Sequence, residues 1–176
     1  MRELIVMSFP GNKARGAEVL QEVAKMRRPE VRESLIGIAD AAVIEKDDRG
    51  KLAVRQTLES AVKGGQVISS GFWGALVGFF FGGPLLGGVI GMTIGGLLGR
   101  KIDIGVDNNF IKEVGDHLQN DSSALFLLVK DTPLSVVAEA LQGFGGTIHS
   151  ATMSDEALDA FERAGTDTDV QEALIG

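Results

Sequence analysis

The chain has 176 residues, 23% of them charged, with a formal net charge of −7 and no cysteine. Its length suits one domain, or one domain with an insertion. The negative charge speaks against nucleic acid, which rewards clustered Lys and Arg, and without cysteine there is no disulfide, thiolate nucleophile or Cys-based metal site.

The first element, "ELIVMSF", is a short β-rich run ended by the turn signal "PGN", and reads as a buried strand followed by a loop. Its apolar core is too short for a signal peptide, so export is not expected. From Lys13 to Arg28, Ala17, Leu20, Val23 and Ala24 recur at helical spacing, and Pro29 ends the helix. "SLIGIADAAVIEKD" is the next strand, "DDRG" a tight turn, and "KLAVRQT" the return of a hairpin.

A run of 36 residues without a charge follows, Gly64 to Gly99. From Gly71 to Gly99, 11 of 29 residues are glycine, and their partners are Phe, Leu, Val, Ile, Met and Trp. That excludes a flexible linker, which pairs glycine with serine and polar residues. Glycine costs a helix roughly 1 kcal/mol against alanine, so something must compensate. Ser70, Gly74, Gly78 and Gly82 fall every fourth residue, and so do Gly87, Gly91, Gly95 and Gly99. Each series draws a smooth stripe along a helix, against which another helix can pack closely. "GGP", Gly82 to Pro84, breaks the two apart. Each half is marginal for the ~20 residues that span a bilayer, and the consistent arrangement is a helical hairpin. Lys63 stands at one foot and Arg100 and Lys101 at the other, on the cytoplasmic side by the positive-inside rule, with Trp73 at the membrane interface. Lipid contact is the first reading, packing between subunits of a soluble homo-oligomer the second, and burial within one monomer the last. On this logic Gly78→Leu and Gly91→Leu should disrupt self-association, while Leu76→Phe and Ile94→Leu, off the stripe, should be tolerated.

Beyond the hairpin, "DNNFIKEVGDHLQ" places Phe110, Ile111, Val114 and Leu118 on one helical face, with Asp107 to Asn109 as caps. "SALFLLVK" is a continuous apolar strand of the buried type. "TPLSVVAEALQGFGG" has a Thr132 cap, an early proline and a terminal glycine, and "GTIHSATM" is the last strand. From Asp155 to Glu172 there are seven acids and one base. This tail reads as two short amphipathic helices, the second opened by Thr168. Leu158, Phe161 and Leu174 would dock on a neighbouring surface with the acids outward.

The elements add up to an α+β chain: a ferredoxin-like βαβ-βαβ sandwich split by the glycine-rich helical hairpin. Residues 1–62 form the first half, 63–101 the hairpin, 102–152 the second half and 153–176 the acidic tail. The sheet is expected to hold four antiparallel strands, near 2–9, 35–46, 122–130 and 146–152.

No catalytic constellation stands out. His117 lies on a helix beside Glu113 and Asp116, but without H-x-x-x-H or H-E-x-x-H spacing it reads as a solvated helix face, and His149 as an exposed strand residue. Ser8, Ser34 and Ser150 lack the context of a nucleophile elbow. "FPGNKARG" follows a strand and opens a helix, so its amides could meet an anion, though an ordinary turn is the plainer reading. No metal, cofactor or enzyme activity is expected.

"DAAVIEKDDRGKLAVRQT", the glycine-striped block closed by "LLGRKIDIGVDNNFIKEVGDHL", "DSSALFLLVK" and "GGTIHSATMSDEAL" together resemble an uncharacterised DUF family of bacterial proteins labelled predicted membrane protein. The likeness covers roughly residues 1 to 160. It implies membrane association, with a role in stress or envelope maintenance, and supplies no catalytic residues. The expected protein is a non-enzymatic homo-oligomeric scaffold on the cytoplasmic face of the inner membrane. Its alternatives are a soluble cytoplasmic homo-oligomer and a small-molecule-sensing ferredoxin-like module.

Overall fold

A computed structural model describes residues 2–26, 37–58, 61, 71–81 and 105–166. Five strands form one antiparallel sheet: β1 (Arg2–Phe9), β2 (Ile38–Lys46), β3 (Leu52–Thr57), β4 (Ser122–Val129) and β5 (Thr147–Met153). Their order across the sheet is β3-β2-β4-β1-β5. The two most apolar strands, β1 and β4, pair at the centre, with Ile5 opposite Leu127 and Met7 opposite Leu125. Four strands lie close to where the sequence puts them. The hairpin return adds β3 as a fifth, at the edge beside β2.

The β2–β3 turn shows why those strands meet. Asp47 Oδ1 accepts from the amides of Arg49 and Lys51, and Gly50 supplies the left-handed φ of 83° that closes the turn. The Lys51 amide is the main cause holding the Asp47 carboxyl below its ordinary value.

Helices cover both faces of the sheet. Alternation along the strands divides the side chains between two cores. Ile5, Met7, Leu125 and Leu127 face α1 (Arg15–Met26) and α4 (Leu134–Leu141), burying Leu20, Val23, Val137 and Leu141. Leu4, Val6, Phe126 and Leu128 face the other way. There they meet α2 (Gly71–Phe81), α3 (Asn108–His117) and α5 (Asp155–Thr166). The described residues therefore form three layers, helices on either side of the sheet.

Local chemistry fixes the helix starts. The Asp107 carboxylate accepts from the Phe110 amide at 2.8 Å, an N-cap that ends the loop before α3. Gly105, just upstream, has φ 79°, and a Cβ there would lie 2.6 Å from the Thr152 carbonyl oxygen, so only glycine lets the chain pass this close to β5. Thr132 does not cap α4. The N-cap is Pro133, without a side-chain bond, and the Thr132 hydroxyl meets the Lys130 carbonyl instead.

Candidate functional site

The glycine-striped segment enters the described structure through α2, whose 11 residues include no charge. Trp73, Ala75, Leu76 and Val77 are buried in the core that α2 shares with the sheet and α5. Trp73 is 1% exposed, stands edge-on to Phe126 of β4, and donates from Nε1 to Asp40 Oδ2 at 3.1 Å. Its expected place at a membrane interface is corrected: the indole is a core residue whose polar edge has a protein acceptor. Phe72, Phe79 and Phe80 close around Phe161 of α5 with ring centroids 5.6–6.3 Å apart.

Gly74 and Gly78 are buried as well. At 3.6 residues per turn they fall on the side of α2 roughly opposite Phe72 and Phe79, so the stripe and the rings that meet α5 occupy different faces. Gly82, Gly87, Gly91, Gly95 and Gly99 lie outside the described residues, as do Lys63, Arg100, Lys101 and Leu174. Among the described residues no helix is long and apolar enough to cross a membrane. Residues 71–81, the described part of the segment, are packed on the sheet of their own chain.

In α5, Ala157, Leu158, Ala160 and Phe161 are buried against that same core, while Asp155, Glu156, Asp159 and Glu162 point to solvent. Leu158 and Phe161 thus contact their own chain.

His149 is placed differently from its sequence reading as an exposed strand residue. His149 is 8% exposed, on the α3 side of β5. Its Nε2 lies 3.2 Å from Ser8 Oγ, and its Nδ1 lies 3.6 Å from Glu113 Oε2. His117 stacks edge-on to it with ring centroids 4.9 Å apart, and its Nδ1 meets the Glu113 carbonyl oxygen at 2.8 Å. Burial, then the neighbouring His117, lower the His149 pKa below 6.5, against an opposing pull from Glu113. Ser8, His149 and Glu113 have the connectivity of a nucleophile, a base and an orienting acid. Ser8 has no exposed surface, although it lies near the end of β1, where that strand pairs with β4 and β5, so no substrate reaches its hydroxyl. Among the described residues no group of His, Asp and Glu could hold a metal ion.

In the loop "FPGNKARG" three amides are bonded to side chains of the same chain. Gly11 N donates to Ser122 Oγ, Gly16 N to Ser123 Oγ and Arg15 N to Asn12 Oδ1. The anion cradle is thereby replaced by a turn stitched to β4. A cleft of ≈540 Å³ opens at the other end of the sheet, where Arg2, Asp40 and Lys130 face Asp155, Asp159 and Glu162 of α5. Its mixed charges select neither an anion nor a cation.

A family model with the description "protein of unknown function (DUF1269)" matches residues 67–164, more than half of the chain. The chain belongs to the DUF1269 family. The DUF1269 match takes in the glycine-striped segment and α3 through most of α5, and leaves out β1, β2 and β3. No curated protein and no solved structure matches the chain.

Proposed function

We propose that this DUF1269 protein is a non-enzymatic structural protein whose identical copies assemble through the glycine-striped segment. The platform is a ferredoxin-like sandwich. The strand order β5-β1-β4-β2, with α1 and α4 together on one face, supports that reading, since two βαβ halves interlock this way. The carrying observation is the docking of α2. Buried by Phe126, Phe161 and Asp40, it is held on the sheet of its own chain. The rest of the uncharged run, through Gly99, therefore continues from an anchored start. Small residues at every fourth position favour contact with a second helix backbone.

A second reading, attachment to the cytoplasmic face of a membrane, is favoured by the length of the uncharged run and by Lys63, Arg100 and Lys101 at its ends. Cell fractionation followed by light scattering separates the two. A multimer of defined size in detergent-free buffer is the expected result. Pelleting with membranes and release only by detergent would favour the second reading. A stable monomer in plain buffer would overturn self-assembly.

A further inference from the structure

We propose that α3 is a proton-sensitive latch: His149 and His117, with Glu113, hold it on β5 and β1 at neutral pH and release it when the buried His149 imidazole is protonated. The inference is independent of self-assembly. It rests on the stacking of the two rings across the seam between helix and sheet, 4.9 Å between centroids, with one ring buried.

In the neutral state each polar atom of His149 has a neighbour. A ring protonated on Nδ1 turns that proton toward Glu113, while Nε2 accepts from the Ser8 hydroxyl. A second proton must enter on Nε2. The Ser8 hydroxyl can yield by turning its own proton to the Thr147 carbonyl oxygen at 3.4 Å. The charge it admits is then buried beside His117. The groups that act electrostatically on His149 are His117 and Glu113, both from α3. Ser8 of β1 is neutral, and α2, which meets α3 where Phe81 faces Gly115, has no charged residue. Asp116, next to His117, is exposed. The buried imidazolium would thus face one nearby carboxylate, Glu113, whose side chain is 67% exposed, where water screens it. Undocking α3 hydrates both rings and separates them.

The direction of the effect follows from linkage. Docking depresses the His149 pKa, so the docked state loses relative stability as pH falls from about 6.5 through the depressed value, and keeps it above 6.5. Each pKa unit of depression raises the opening constant about tenfold once the pH lies below both values. The latch sits next to the glycine-striped segment: α3 is the first described helix after that run.

Hydrogen exchange read by mass spectrometry on the full chain, corrected for intrinsic rates, tests the proposal. Between pH 7.5 and pH 5, amides of residues 108–118 should lose protection several-fold while those of 122–129 keep theirs. His149→Gln should abolish the pH dependence, and Glu113→Gln should move its midpoint lower. Unchanged protection of 108–118 at pH 5 would overturn the latch, as would equal loss in both segments or full pH dependence in His149→Gln. Should His149→Gln not fold, an NMR titration of the wild-type imidazoles decides: a His149 midpoint below 6.5 supports the latch and one above it refutes it.

Discussion

Trp73 shows how one side chain changes the reading of its segment. A tryptophan near the end of an apolar run suits a membrane interface by composition alone, because its ring is apolar and its N–H wants a polar partner. Asp40 on β2 supplies that partner from 33 positions away in the sequence. No periodicity around residue 73 could announce it. Trp73→Phe removes a hydrogen bond to a carboxylate and part of the buried ring, and should lower stability by about 2 kcal/mol. Urea unfolding followed by circular dichroism checks this, and a change below about 0.5 kcal/mol would take the indole out of the core. Trp73 is the chain's one tryptophan, so in the wild type its fluorescence reports this site alone. Weak acrylamide quenching in buffer free of lipid and detergent is expected of a ring 1% exposed. His149 reads as exposed from the sequence for a similar reason: strand alternation gives its face, and only the docking of α3 buries that face.

At the scale of elements, the contact between α2 and α5 revises what substitutions should do. Leu76 is off the glycine stripe, and the stripe argument alone would let phenylalanine replace it. The side chain is fully buried between the sheet and α5, so Leu76→Phe should cost about 1–3 kcal/mol through overpacking. Phe161→Ala, which empties the centre of the ring cluster formed with Phe72, Phe79 and Phe80, should cost about 3–5 kcal/mol. Thermal or urea denaturation of both variants measures these losses, and a tolerated Leu76→Phe would restore the lipid-facing reading of that position. The strands were legible because their apolar runs are short, rich in β-formers and bounded by turns. A further signal lay in the same runs. "ELIVMSF" and "SALFLLVK" are apolar on consecutive residues, which a sheet tolerates only when both faces are covered. The helices α1 and α4 cover one face, so the second face required a cover from elsewhere in the chain. Composition could not assign that role to α2, since a helix buried between a sheet and another helix is as apolar all round as one in lipid.

For the whole molecule, the question is what the uncharged run does beyond the turn that "GGP" signals. Within residues 71–81, Trp73, Ala75, Leu76 and Val77 are buried in the core that α2 shares with the sheet, α3 and α5. Gly78 is also buried, so Gly78→Leu can act by disturbing the fold and is a poor probe of assembly. Gly91→Leu is the better one. It places bulk on the second stripe, in sequence well removed from the helix that the sheet holds. If identical copies meet through that stripe, Gly91→Leu should lower the oligomer mass in light scattering while leaving the unfolding midpoint and the far-ultraviolet spectrum unchanged. Ile94→Leu, which keeps volume and lies off the stripe, should leave the mass as it is. Closed symmetric assembly predicts a defined mass at saturation, not one that grows with concentration. A wild-type mass that Gly91→Leu does not change, with the fold intact, would remove the second stripe from the interface.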